Sequence, residues 1–413
     1  MPRKATASSG ATSPFRKPSN WQKMTIDHSH IFRQIAESLR HYYGIQAVPE
    51  VAHGADMFPE SKTVITEGQA GYAIRFNPKV QTVLSLYDLA MDGGTDIGET
   101  VCRYALFHAF LELDDYEAAR RHLDAFRREV EHLHLDRRTQ EQREEARGQV
   151  LLQLYFIMLH ESFHIIFRHS PESGKMAAET TRELLRDMKD ELADQLSLVT
   201  NDELLAHPKT QEHLAALIPP TLPREVREMM MAQMREEMKS DPYSTDYIDQ
   251  LIDGSDDVLL EELACDRQAW LNFVDMATAD GCSTEELLQF HLWFFVVFCA
   301  MDFNRSILSQ YRPALHARYQ YDGKRVVLRH KAFKTLLRQY NPEVYKLINH
   351  QYLELHKGLE AIFRTATLGI YNYQEDFIRL HALHEERTAN PVLPDIRKIR
   401  QLEEEMAAAT EDL

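Results

Sequence analysis

The segment from Leu151 to His169, LLQLYFIMLHESFHIIFRH, limits how this chain can fold more than any other. It has helical spacing and is apolar on nearly every side, which predicts a buried central helix rather than a surface helix. The run nevertheless contains the polar residues His160, Glu161 and His164. Burying such groups without partners costs roughly 2–7 kcal/mol each, so the segment needs something that satisfies them.

A metal ion would satisfy all three residues, which form the pattern H-E-x-x-H. Histidines at i and i+4 share one helical face and can bind one Zn²⁺ ion. Glu161 would then lie where it can act as general base toward water that the metal activates. The alternative interpretation is a core helix whose two histidines are satisfied by hydrogen bonds, with no metal.

A second predicted helix supplies candidates for a further ligand. A hydrolytic zinc site uses three protein ligands and leaves one position open for water. Residues 258–270, VLLEELACDRQAW, have helical spacing with an apolar face. In this helix Glu262 and Asp266 stand at i and i+4, as do Glu261 and Cys265.

Together these two segments resemble the gluzincin metallopeptidases, in which H-E-x-x-H is followed downstream by E-x-x-x-D. The resemblance implies that Glu262 is the third zinc ligand and that Asp266 orients a ligating histidine. A carboxylate in that place commonly fixes the ring and the tautomer of a metal-bound imidazole. Small gluzincins often carry one more histidine five residues after the second ligand, and His169 holds that position here. Glu261 is the rival for the third ligand, and Cys265 is a further candidate through its thiolate.

Two short segments before this helix predict a β-hairpin. Lys62–Thr66 and Ala70–Phe76 alternate polar and apolar residues, and the turn-forming pair Glu67-Gly68 separates them. In gluzincins an upstream strand forms the sheet edge along which an extended substrate pairs, and by resemblance Gly71–Phe76 is the candidate here. The alternative is a purely structural hairpin. Further along, Arg325–Arg329 predicts a short strand.

Composition and charge exclude some classes of function. The chain has 413 residues and a net charge of −17, which argues against a general nucleic-acid binder. Its four cysteines are scattered and form no CxxC pair, as expected in a reducing compartment. The N-terminus lacks the apolar core of a signal peptide, so we expect a cytoplasmic location. The apolar run Leu287–Met301 is too short for a bilayer span and predicts a buried core helix, so we expect no membrane span.

The predicted fold class is predominantly α, of the α+β kind. It has a small antiparallel sheet whose edge strand packs on the H-E-x-x-H helix, a large helical insertion and a helical C-terminal region. The predicted organisation is a disordered tail, an N-terminal helical and hairpin region, an insertion that acts as a lid or binds a regulatory partner, and a region that begins with the second motif helix. These comprise residues 1–22, 23–170, 171–257 and 258–413.

The sequence therefore predicts an intracellular zinc-dependent endopeptidase that cleaves a protein or peptide target. The main alternative is a helical interaction or scaffold protein with a structural or vestigial zinc site. Hydrolysis of a non-peptide amide would use the same residues in a different pocket. Some side chains of the C-terminal region are candidate hydrogen-bond donors to the transition state, although each also fits an ordinary helix position: Tyr373, His381 and His384.

Overall fold

Helices form most of the described chain, and three strands form one small sheet near its N-terminal end. This confirms the predicted fold class. The computed structural model describes residues 28–411 and Leu413, except residues 53, 67–68, 94–96, 134–138, 197–200, 219, 221, 240–244, 255, 280, 313–321, 344 and 347–370. The predicted disordered tail, residues 1–22, lies outside the described residues.

The first part of the chain builds the sheet and the helices around it. Its elements are α1 His28–Tyr43, β1 Ala47–Val51, β2 Glu60–Thr66, β3 Gln69–Phe76, α2 Lys79–Gly93, α3 Gly98–Glu112, α4 Tyr116–His132 and α5 Gln140–His169.

The second part of the described chain is helical. Its elements are α6 Pro171–Leu196, α7 Asn201–Ala206, α8 Pro208–Leu217, α9 Arg224–Lys239, α10 Thr245–Ile252, α11 Asp257–Ala279, α12 Thr284–Tyr311, α13 Asp322–Tyr340, α14 Gln374–Ala389 and α15 Ile396–Thr410.

Helix α5 is the central element of the fold. A capping box starts it, in which Thr139 Oγ1 accepts the Gln142 N–H at 3.2 Å and Gln142 Oε1 accepts the Thr139 N–H at 2.9 Å. Its charged first turns are exposed, while nearly every residue from Val150 to Ile166 is buried. The change from a solvated to a buried half follows the change from charged to apolar sequence. Helices α1, α2, α6, α11 and α12 all pack against it.

The sheet corrects the prediction of which strand is free at the edge. Strand β2 pairs with β3 in antiparallel register, as the hairpin pattern predicts, but β1 pairs with the other side of β3 in parallel. The strand order is therefore β1-β3-β2, and the sheet is mixed. The prediction that Gly71–Phe76 forms the edge is wrong, because this segment lies in the central strand. The edge next to α5 is β2.

The insertion consists of two groups of helices with different surroundings. Helices α6 and α10 pack against α11, and α6 also contacts α5 and α13. Lys189 on α6 reaches Asp249 on α10 at 2.5 Å. Helices α7, α8 and α9 instead pack mainly against one another. The insertion therefore contributes two helices to the core around α11, in addition to the smaller group α7–α9.

Two predictions for the C-terminal half have opposite outcomes. The segment Leu287–Met301 is a helix as predicted, within α12, and all of its described side chains except Phe290 are buried. The predicted strand Arg325–Arg329 is wrong, because these residues lie inside the helix α13. The β-branched pair in this segment favours a strand locally, but packing of a long helix against α6 and α11 outweighs that weak preference.

Among the described residues, one helix is long and apolar enough to cross a membrane by length and composition, namely Gln140–His169. Most of its apolar window, 89%, is buried inside the protein, as expected of a central core helix.

Helix α3 contains a buried histidine, His108. His108 is 2% exposed, and neither ring nitrogen has a hydrogen-bond partner in the described part of the chain. Its ring packs edge-on against Tyr104 and Phe107. Burial, together with the nearby charge of Lys79, holds the pKa of His108 well below its usual value.

We predict that His108→Leu makes the protein less sensitive to acid. The unfolded chain takes up a proton at this histidine near pH ~6.5, whereas the folded chain does not, so the wild type loses stability as the pH falls below that value. The loss approaches about 1.4 kcal/mol per pH unit, and the substitution would abolish it because leucine does not titrate. Urea unfolding followed by circular dichroism between pH 7.5 and 5 measures this, and equal pH slopes for both proteins would contradict the prediction.

Candidate metal centre

The two motif helices pack against each other and bring their polar residues together. Helix α5 carries His160, Glu161 and His164, and all three are buried. Helix α11 carries the carboxylates of Glu261, Glu262 and Asp266. Because residues at i and i+4 lie on one face of a helix, each helix presents its set of side chains to the other.

Three potential ligand groups converge on one point. The Nε2 atoms of His160 and His164 are 3.1 Å apart. Glu262 Oε2 lies 3.3 Å from His160 Nε2, and the other carboxylate oxygen, Oε1, lies 3.4 Å from His164 Nε2. Ligands at the usual zinc distances of about 2.0–2.1 Å in a tetrahedron would be separated by about 3.3–3.4 Å. The three side chains therefore have the spacing that a tetrahedral Zn²⁺ site needs.

The outer nitrogens of both histidines face carboxylates. His164 Nδ1 is 2.6 Å from Glu261 Oε1, and His160 Nδ1 is 2.8 Å from Asp266 Oδ1. The first contact is a hydrogen bond, whereas the second is short without the alignment of one. A carboxylate beside Nδ1 favours the tautomer with the proton on that nitrogen. With the proton on Nδ1, each Nε2 atom could offer a lone pair to a metal ion that Glu262 also reaches.

The charge around this point is negative. Burial disfavours a charged imidazole, but Asp266 and Glu262 outweigh it and raise the pKa of His160. Desolvation likewise disfavours the charged Glu262, but hydrogen bonds with the two histidines hold the pKa of this carboxyl well below its usual range. Both shifts have the same cause, the attraction between the imidazoles and the surrounding carboxylates, and these carboxylates would also attract a divalent cation.

Arg329 on α13 completes the environment of Asp266. Its Nε and Nη2 donate to the two carboxylate oxygens of Asp266 at 2.6 and 2.7 Å. Both side chains are buried, and Arg329 Nη1 is also 3.8 Å from Glu262. Despite its burial, the pKa of Asp266 lies below the ordinary value because Arg329 and His160 favour the charged form.

Glu161 is held by the edge strand β2. The backbone N–H of Ser61 donates to Glu161 Oε2 at 2.7 Å, and Arg168 Nη1 donates to the carbonyl of Ser61 at 2.8 Å. The possible ligand atoms of His160, Glu161 and His164 lie within 4.8 Å of one another. The carboxylate of Glu161 is therefore fixed beside the centre by a contact from the sheet.

At alternate residues of β2, the backbone N–H and C=O groups point away from β3, toward the outer edge of the sheet. Tyr72 on β3 donates its N–H to Gln46 at 3.3 Å, so its peptide group faces β1. In an antiparallel ladder the residue opposite such a position directs its own N–H and C=O outward. Thr63 is opposite Tyr72, and Ser61 lies two residues earlier on the same edge. The outward N–H and C=O of Ser61 bind Glu161 and Arg168 on α5. The N–H and C=O of Thr63, an exposed residue, point outward from the same edge of the sheet.

The centre opens to solvent on the side of α11. The side chain of Glu262 is 26% exposed and that of Glu261 is 42%, whereas the histidine side chains are 5% and 8% exposed. Water or a small part of a substrate could therefore approach from the carboxylate side.

The structure assigns different surroundings to the lower-ranked candidates. Glu261 contacts the outer nitrogen of His164 and not the point where the two Nε2 atoms meet. Cys265 lies buried beside His164, and burial raises the pKa of its thiol to about 12. The exposed His169 packs edge-on against Tyr72, with 6.0 Å between ring centroids. The geometry thus favours Glu262 as the third ligand.

The candidate transition-state donors are not brought to the centre. The hydroxyl of Tyr373 donates to Glu99 on α3 at 2.7 Å. His381 lies 3.7 Å from Glu385, and His384 packs against Tyr311. These contacts belong to the junction of α14 with α3 and α12.

Sequence reasoning missed the roles of several residues around the centre. Arg329 gave no signal, because its segment predicts a strand and its partner Asp266 is distant in the sequence. The contacts of Ser61 and Arg168 depend on the placement of β2 across α5, which no local pattern reveals. The available signals for a carboxylate beside each histidine were Glu261, which faces His164, and Asp266, which faces His160.

Comparison of the chain with protein-family models, with curated proteins and with solved structures finds no match. The interpretation of the centre therefore depends on its own geometry.

We predict that Glu262→Ala and Glu261→Ala affect metal content differently. Loss of Glu262 removes a ligand, so that variant should retain little zinc. Loss of Glu261 removes only the partner of His164 Nδ1, which should weaken zinc affinity about 10-fold but leave the site occupied when zinc is supplied in excess. Elemental analysis and titration of the two proteins measure this, with circular dichroism as the control for folding. Zinc retained by the Glu262 variant and lost from the Glu261 variant would reverse the ligand assignment.

Proposed function

We propose that the chain is an intracellular zinc-dependent endopeptidase of gluzincin type that cleaves a specific protein target. The observation that carries this proposal is the convergence of His160 Nε2, His164 Nε2 and Glu262 with tetrahedral spacing. The order of the motifs along the chain, H-E-x-x-H on α5 and E-x-x-x-D on α11, agrees with the resemblance to gluzincins.

His160, His164 and Glu262 would hold Zn²⁺. When bound there, Zn²⁺ supplies Lewis acidity that polarises a carbonyl and makes water a nucleophile at neutral pH. Asp266 and Glu261 keep the two imidazoles in the tautomer and orientation for binding. The exposure of the Glu262 side leaves room for an open coordination position, which a structural zinc site lacks.

Glu161 is the proposed general base. Its Oε2 is held by the Ser61 N–H, so the remaining oxygen, Oε1, is the atom that we assign to proton transfer. Glu161 accepts a proton from the attacking water at Oε1 and delivers it to the amine of the leaving group. The fixed contact with β2 limits the rotation of the carboxylate between these two transfers.

The outer edge of β2 supports a peptide rather than a small amide as substrate. The peptide groups of Thr63 point outward, on the same edge as the Ser61 contact with Glu161. An extended peptide that pairs with this edge would form backbone hydrogen bonds independent of its side chains. A peptide paired in this way would run along the edge of β2 toward Ser61 and Glu161, where its scissile bond could meet the general base.

We predict that Glu161→Gln abolishes turnover but leaves zinc bound. Glutamine keeps the size of the side chain but cannot accept the proton, whereas the three ligands are unchanged. Cleavage of a mixed peptide library, read by mass spectrometry, should fall by about 100-fold or more, while elemental analysis finds the zinc content of the wild type. Cleavage at the wild-type rate would exclude Glu161 as the base.

We also predict that Thr63→Pro weakens cleavage more than Thr63→Ala does. Proline removes the outward N–H and is tolerated on an edge strand, whereas alanine keeps the N–H and removes the side chain. The loss of one backbone hydrogen bond to substrate should lower kcat/KM by about 10-fold in the proline variant. Equal kcat/KM values for the two variants with the same library would argue against pairing at this edge.

A further inference from the structure

The carboxylate that contacts His160 is itself fixed from a third helix. Oδ1 of Asp266 accepts a hydrogen bond from Arg329 Nη2 at 2.7 Å and also lies 2.8 Å from His160 Nδ1. The other carboxylate oxygen accepts from Arg329 Nε at 2.6 Å. Because two parallel hydrogen bonds fix both the position and the plane of a carboxylate, Arg329 determines where the oxygen that faces His160 lies.

The guanidinium is fixed in turn. Its Cζ lies over the Phe298 ring on α12, 4.4 Å from the ring centroid, and this cation–π contact restrains the position of the guanidinium. Arg329 is 5% exposed and Asp266 is 2% exposed, so water does not compete for the pair. The contacts form a continuous series from α12 through α13 and α11 to the first histidine on α5.

We propose that Arg329 is a positioning residue for the metal centre, which holds Asp266, orients His160 through it and thereby increases zinc affinity. This inference rests on the proposed zinc site. Removal of Arg329 would leave Asp266 buried without its cation, free to rotate away from His160. Changes in the partners that orient metal ligands typically weaken metal binding by about 10–100-fold.

Two variants of Arg329 separate the effect of its positive charge from the effect of its two parallel hydrogen bonds to Asp266. Arg329→Met removes both, and zinc dissociation constants from competition with a chromogenic chelator should rise by about 10–100-fold. Arg329→Lys keeps the charge but cannot make two parallel hydrogen bonds, so its affinity should lie between those of the wild type and Arg329→Met. This partial rescue also gives a measurable variant should Arg329→Met fail to fold.

Arg267→Met is the matched control. Arg267 is also a buried arginine on α11, and it donates to the hydroxyl of Tyr340 on α13 at 3.2 Å. Its loss therefore removes a contact between the same pair of helices but no hydrogen bond to the side chain of Asp266, the residue before it in the chain. The zinc affinity of this variant should therefore stay close to that of the wild type.

A double-mutant cycle with Asp266→Asn tests whether Arg329 acts through Asp266. If it does, Arg329→Met should change zinc affinity by less than about twofold once Asp266 is replaced. Two results would overturn this inference but leave the proposed metal site standing. One is a zinc affinity of Arg329→Met equal to that of the wild type. The other is an equal loss of affinity from Arg329→Met in the wild type and in Asp266→Asn. A wild-type protein that binds no zinc would overturn the proposed metal site and this inference with it.

Discussion

The arrangement around the candidate metal centre depends on three buried or half-buried polar side chains that face one another between α5 and α11. His160, His164 and Glu262 direct two imidazole nitrogens and a carboxylate to one point, with separations of 3.1–3.4 Å. Buried polar groups need partners, and we propose that one tetrahedral metal ion is the partner that these three groups share.

The surrounding helices can be understood from this requirement. The second half of α5 is buried on all sides, so its histidines can be satisfied only by residues from other elements. Helix α11 supplies one carboxylate to the convergence point and two to the outer nitrogens. Helix α13 supplies the arginine that balances the most buried of these acids, and β2 fixes Glu161. Four elements from distant parts of the sequence thus meet around one pair of histidines.

Local patterns predicted the parts of this structure that depend on one helix or one hairpin. The apolar run and its i, i+4 residues located α5 and α11, and the alternation around Glu67-Gly68 located β2 and β3. Strand β1 was missed because it is short and contains Pro49, and its pairing made β3 central rather than an edge. The Asp266–Arg329 pair was missed because it depends on how α13 packs on α11. The predictions therefore succeeded within elements and were incomplete where distant elements meet.

X-ray absorption at the zinc edge, on protein purified without chelator, tests the metal centre most directly. We predict about one zinc per chain, surrounded only by nitrogen and oxygen at about 2.0–2.2 Å, with the outer scattering of two imidazoles. Absence of zinc would contradict the metal centre itself. A sulfur neighbour at about 2.3 Å would place Cys265 or another thiol on the metal and contradict an open catalytic site.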